Sequence, residues 1–231
     1  KKGAFRVGIH DGHRARLRAR YIEEGLAHFN EIDTLELLLF YAIPRRDTNE
    51  LAHLLLQQFG SLDGVLGATT GDLCAVPGIS ENTAVLLHLF NDVARKCEIS
   101  RQSIRIVNSS QDAGTFLLPY FYGLRDETVY LLCLDAKGKV LDCRALFKGS
   151  ANGVAIAIRK IVEVALSVNA TSVIMAHNHP GGLALPSAED RAATLRIRAA
   201  LQNLDIVLID HIIVADQDFI SMADSGLFQA L

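Results

Sequence analysis

Long apolar runs are missing from this chain: stretches such as LELLLFYAI, residues 35–43, stop well short of the ~18 residues that a bilayer span requires. The first twenty residues, KKGAFRVGIHDGHRARLRAR, contain no apolar segment of the signal-peptide kind. Proline and glycine are too scarce for a fibrous or low-complexity chain. The four cysteines, Cys74, Cys97, Cys133 and Cys143, form no CxxC pair. A disulfide framework or a cysteine-rich zinc site is thereby disfavoured, and a reducing, cytoplasmic setting is expected. There is no large excess of positive charge either, since the formal net charge is -3, which argues against a surface that coats nucleic acid wholesale. Internal repeats are absent too. What remains is a folded, soluble chain of 231 residues, half of them hydrophobic, enough for one large or two small domains at roughly 100 to 200 residues each.

The first hundred residues read as helical. IDTLELLLFYAI is a dense apolar run with Asp33 or Thr34 as its N-cap, and it stops before Pro44. DTNELAHLLLQQFG starts on Asp47 or Thr48 and ends at Gly60, the residue type that most readily takes a left-handed C-terminal position. Further on come a short helix, a helix GDLCAV, a tight turn PGIS, and a long helix from about Glu81 to Cys97. Two helices joined by such a turn make a helix-hairpin-helix candidate at about residues 73–90. Backbone amides of Gly78, Ile79 and Ser80, at the start of the second helix, would hold a DNA phosphate without reading a base. The pattern is carried by Leu73, Val76, Gly78, Ile79 and Ala84, with Ser80 where a second glycine usually stands. Seven Lys or Arg against one Asp in residues 1–20, with Arg14, Arg16, Arg18 and Arg20 closely spaced, make either a solvated terminal segment or a second phosphate contact.

Helical periodicity is lost after Cys97, and the expected domain boundary lies near residue 100, giving domains 1–100 and 101–231. The second half alternates strands with helices. TVYLLCLD and VLDCRALFKG form a hairpin about Gly138, VAIAIRKIVEVALSVN is a helix, and ATSVIMAHNH is a buried strand. SAEDRAATLRIRAALQNLD is a helix, IVLIDHIIVAD a strand, and FISMADSGLF a closing tail. The order β-β-α-β-α-β predicts a mixed α/β domain with helices covering a sheet.

The chemistry concentrates in HNHPGGLALPSAED, residues 177–190. His177 and His179 end an apolar strand two residues apart, so both imidazoles project from one face. Ten residues intervene before Asp190, in the first turn of a helix that Pro186 and Ser187 introduce. Two histidines and a carboxylate with a fourth position left open is the ligand set of a catalytic zinc. A histidine pair alone is commonly just solvated; the whole pattern is far narrower.

That stretch resembles the JAMM motif of the JAB/MPN+ metalloprotease fold. With HDGHRARLRARY near the start, the turn at 73–90, the residues about His211 and the SMADSG tail, the chain resembles the RadC family over most of its length. The resemblance implies an N-terminal helical domain with a helix-hairpin-helix, then a JAB/MPN-like α/β domain of three-layer, cytidine-deaminase-like architecture. It implies a hydrolase of peptide or isopeptide bonds, with Zn2+ held by His177, His179 and Asp190 lowering the pKa of a coordinated water to roughly 7. It also implies a glutamate base at the beginning of a strand, which Glu127 matches, fifty residues before His177. Glu163, in the helix before the ligand strand, is the rival, or no glutamate serves. Ser187 would stabilise an oxyanion in the family's manner, or act as a helix N-cap, or both. His211 either supports a ligand from behind or is a satisfied core histidine. The candidate partners are therefore a protein or peptide substrate and DNA. A role in DNA repair, including metal-dependent nuclease activity, is the alternative, and no membrane partner is expected.

Overall fold

A computed structural model describes residues 9–44, 46–149 and 154–228. The chain divides into two compact units, residues 1–94 and 95–231. The first is helical: α1 Ile9–Glu24, α2 Glu31–Ala42, α3 Asn49–Phe59, α4 Leu62–Gly67, α5 Thr70–Ala75 and the beginning of α6 Glu81–Arg101. The second holds the end of α6, α7 Ser110–Phe121, β1 Thr128–Leu134, β2 Val140–Lys148, α8 Val154–Ser167, β3 Ser172–Asn178, α9 Ala188–Gln202, β4 Val207–Ala215 and β5 Asp218–Ser221. Among the described residues no helix is long and apolar enough to cross a membrane.

Helix starts in the first unit follow capping chemistry. Helix α2 begins earlier than its apolar run suggests, because Asn30 rather than Asp33 or Thr34 is the N-cap; its side chain accepts from the Asp33 amide. Asp33 and Thr34 lie inside the first turn, where the Thr34 hydroxyl donates to the Asn30 carbonyl. Thr48 precedes α3, and Gly60 closes that helix at φ 83°. A core of Leu35, Leu39, Leu55, Val65, Leu73 and Leu87 unites helices α2 to α6. The turn between α5 and α6 buries Val76 and Ile79, with Gly78 at φ 99°. Ser80 turns its hydroxyl to the Thr83 amide at 3.3 Å and so caps α6.

The arginine-rich segment is a helix, α1, anchored by the buried Leu17. Arg14 donates to the Ile43 and Arg46 carbonyls and covers the Phe40 ring. Arg20 pairs with Asp33 at 2.6 Å and covers Phe29. These two therefore hold the unit together, while Arg16 and Arg18 are exposed.

In the second unit five strands form one sheet in the order β2-β1-β3-β4-β5, with β3 and β4 parallel and the other pairs antiparallel. A parallel pair needs a long crossover, and α9 provides it. Both faces of the sheet are covered. Leu131, Cys133, Val173 and Met175 pack against Ile161 and Ala165 of α8 and Ile197 and Leu201 of α9. Leu132, Leu134, Ile174, Ala176 and Ile212 pack against Phe116, Leu117 and Phe121 of α7. Burial on both faces is why these strands read as continuous apolar runs. The three-layer α/β architecture is thus present.

Two elements go beyond the sequence expectation. Helix α7 occupies a stretch read as irregular, capped by Ser109, whose hydroxyl accepts from the Asp112 amide. The closing tail contains β5, and the buried Asp210 ties it down by accepting from the Ser221 hydroxyl, the Ala223 amide and its neighbour the His211 amide.

Gly114 shows why α7 sits so close to the sheet: a Cβ there would lie 2.1 Å from the Phe219 ring. Gly114→Ala should gain up to about 1 kcal/mol in helix propensity yet lose about 1–3 kcal/mol to overpacking. Urea unfolding should therefore show a net destabilised variant, and a stabilised one would disprove this packing.

Candidate metal centre

The site forms where β3 ends. His177 is the second-last residue of the strand and 2% exposed, on the same face as Met175 and Val173. His179 follows just beyond it, fixed by its amide donating to the Val214 carbonyl at 2.8 Å. Between them Asn178 faces the other way. Its side chain accepts from the Thr128 amide at 2.8 Å and donates to the Asp126 carbonyl at 3.2 Å, which clamps the start of β1 beside the histidines. The chain then turns through Pro180–Gly182, with the Gly182 amide on the His179 carbonyl at 3.1 Å and Gly181 at φ 68°.

Helix α9 returns the third group. Ser187 is its N-cap and Asp190 its third residue, and the two form a reciprocal capping box. The Ser187 hydroxyl accepts from the Asp190 amide at 3.0 Å, while Asp190 Oδ2 accepts from the Ser187 amide at 2.8 Å and its hydroxyl at 2.6 Å. Asp190 Oδ1 then lies 3.2 Å from His177 Nε2. The two Nε2 atoms are 2.9 Å apart, and His179 Nε2 is 3.6 Å from Asp190 Oδ2. Donors bound tetrahedrally at about 2.0–2.1 Å stand roughly 3.3 Å from one another, so this spacing fits a single small ion. Among the described residues these three are the one group of His, Cys, Asp or Glu side chains so gathered, and no fourth joins them. Burial acts to raise the Asp190 pKa, but the hydrogen bonds from His177 and Ser187 outweigh it and hold the carboxyl well below the usual carboxylate range.

Behind His177 the contacts continue inward. His177 Nδ1 is 2.8 Å from His211 Nε2, and His211 Nδ1 is 2.6 Å from Thr194 Oγ1. Burial, with His177 beside it, pushes His211 down to about 3, so it is neutral near pH 7. His211 is buried in β4 and also touches His177. Thr194 and Asn178 escaped sequence reasoning. Thr194 carries a usable signal, because it falls one helical turn after Asp190 on the same face.

The two candidate glutamates separate. Glu163 is exposed on α8 and pairs with Arg159 at 2.9 Å, one turn away. Glu127 is exposed immediately before β1, with its carbonyl accepting from the Gly149 amide at 2.7 Å. Val129 is the last β1 residue paired in the antiparallel β1–β3 ladder, with His177, and Glu127 lies two residues beyond that pair. Its carboxylate is not among the three gathered donors.

The sequence model for the RadC-like JAB domain matches residues 107–227, which include all three donors. A UPF0758 protein of Burkholderia cenocepacia strain HI2424 is 35% identical over 212 residues, covering 91% of this chain and 82% of that protein. One from Fusobacterium nucleatum subsp. nucleatum is 31% identical over 229 residues, covering 94% and 97% respectively. The second unit is thus a JAB domain, and the chain belongs to the RadC-like UPF0758 family.

The capping box makes a prediction independent of any metal. Ser187→Ala should destabilise the metal-free protein by ~1 kcal/mol, whereas Ser187→Thr should lie within a few tenths of the parent. Chemical denaturation decides, and an unchanged Ser187→Ala midpoint would refute the cap.

Proposed function

We propose that this protein is a zinc-dependent hydrolase of peptide or isopeptide bonds, with His177, His179 and Asp190 holding the metal. The carrying observation is the three-donor cluster without a fourth protein donor among the described residues, with His179 and Asp190 partly accessible to solvent. A structural zinc is usually closed by four protein ligands, commonly cysteines, and the four cysteines lie elsewhere. One carboxylate and two histidines suit a single metal better than the paired, carboxylate-rich centres of many nucleases.

When bound, zinc supplies the Lewis acidity that makes water a competent nucleophile near neutral pH. The chain's own groups do the rest. The Glu127 carboxylate takes the proton from the attacking water and returns it to the departing amine nitrogen. His177 and His179 would hold the ion through ring nitrogens and Asp190 through its carboxylate, which adds the negative charge. The Ser187 hydroxyl gives its one proton to Asp190 Oδ2, so it assists an oxyanion only by leaving that bond, while the Ser187 amide keeps Asp190 in place.

A second role, DNA contact, is supported by a separate observation. Pro77, Gly78 and Ser80 are exposed in the turn before the 21-residue helix α6, although the Ile79 amide is taken up by the Val76 carbonyl at 3.1 Å, and a Cβ on Gly78 would sit 3.9 Å from Arg46 Nη2. With Arg16 and Arg18 exposed on α1, this gives phosphates cations and the Gly78 and Ser80 amides to meet. Duplex affinity of the full chain should fall steeply between about 50 and 200 mM salt and weaken on Arg46→Ala; no binding at low salt would eliminate this role.

For the hydrolase, elemental analysis of the purified chain should find near-stoichiometric zinc, lost in Asp190→Ala. Glu127→Gln should retain zinc while its cleavage of a peptide or isopeptide library falls by about 10²–10⁴-fold. Normal turnover in Glu127→Gln would remove Glu127 as the base, and failure of the parent chain to take up any zinc would remove the hydrolase.

A further inference from the structure

We propose that Thr194 and His211 are positioning residues that hold His177 in the one tautomer able to ligate through Nε2, an inference that rests on reading His177, His179 and Asp190 as a metal site. An imidazole ligates through a nitrogen with a free lone pair, so its other nitrogen must carry the ring proton. For His179 this is arranged locally. Its Nδ1 faces the Leu183 carbonyl at 3.2 Å, and a carbonyl only accepts, so the proton sits on Nδ1 and Nε2 is bare.

His177 has an imidazole in that place instead. Its Nδ1 faces His211 Nε2 at 2.8 Å, and between two neutral rings either nitrogen can donate. The direction is decided deeper in the domain. Thr194 Oγ1 lies 2.6 Å from the Asp190 backbone carbonyl and 2.6 Å from His211 Nδ1. A hydroxyl has one proton. With that proton on the carbonyl, Oγ1 accepts from His211 Nδ1, His211 Nε2 accepts from His177 Nδ1, and His177 Nε2 would be bare for a metal in place of the hydrogen bond it makes to Asp190 in the metal-free chain. The reverse order would place a proton on His177 Nε2, on the face where the metal belongs. Thr194, His211 and His177 are 1%, 3% and 2% exposed, so bulk solvent does not compete for these bonds. Asp190 stands at both ends of the relay: its carbonyl takes the threonine proton, and its carboxylate stands beside the nitrogen that is thereby freed.

Long-range proton–nitrogen correlation NMR on the zinc-loaded, isotope-labelled full chain reads the tautomers directly. A ring proton on Nδ1 of His211 is the expected result, and a protonated Nε2 on His211 overturns the proposal. Zinc affinity, measured by competition with a chromophoric chelator, is the second readout. Thr194→Val should bind zinc about 10–100-fold more weakly, with Thr194→Ser restoring affinity to within about threefold. Equal affinity for Thr194→Val and the parent chain, with equal unfolding midpoints when metal-free, also overturns it. Should Thr194→Val fail to fold, the NMR result on the parent chain decides alone. A parent chain that takes up no zinc overturns the hydrolase and the relay together, whereas zinc uptake with a protonated Nε2 on His211 overturns the relay alone, so the two failures are distinguishable.

Discussion

Helix α9 cannot begin without satisfying the amides of its first turn, which have no partners within the helix. In this protein the side chain that answers the Ser187 amide is Asp190, the same side chain that completes the histidine cluster. The geometry of the site is thereby coupled to a local folding event rather than to the drift of a surface loop. Once the cap forms, the carboxylate has one place to be, 3.2 Å from His177 Nε2. The helix also brings Thr194, one turn further, against His211. A single helix start accordingly orients groups on two sides of His177.

The sheet supplies the other half of the constraint. His177 is nearly inaccessible because it still belongs to β3 and lies under α9, and its ring nitrogens must find partners there or be destabilising. They do, in His211 on one side and in His179 and Asp190 on the other. Asn178, pointing through the opposite face, fixes the first residues of β1. The alternation of a strand thus lets three consecutive residues serve two purposes, with His177 and His179 turned toward Asp190 and Asn178 locating the start of the strand that follows Glu127.

Much of this was readable in the sequence because the relevant signals are local. The cluster of His177, His179 and Asp190 depends on a strand end, a two-residue spacing and a helix cap, all contained within fourteen residues. The hairpin about Gly138 and the helix ending at Gly60 are legible for the same reason. Helix α7 was not, since its polar beginning, Gly114 and Pro119 suppress the usual helical pattern; its stability comes from packing Phe116, Leu117 and Phe121 onto the sheet. Strand β5, four residues long, is too short to show a period. The cap of α2 was misplaced because Asn30 lies before the apolar run while the more conspicuous Asp33 and Thr34 lie within it. His211 meets His177, and Thr194 meets His211, only through long-range packing, across 34 and 17 residues of chain.

The two oxygens of Asp190 are not equivalent. Oδ2 is held by the Ser187 amide and hydroxyl, so the carboxylate cannot swing both oxygens onto one ion without breaking its own helix cap. A group restrained in this way offers one oxygen and keeps the coordination number low. Calcium, which gathers six to eight oxygens and often draws on bidentate carboxylates, is poorly served by such a site, and magnesium, which prefers an octahedron of oxygens, fares little better. The cap that starts a helix would therefore also set the selectivity of a metal held here, disfavouring the abundant hard cations.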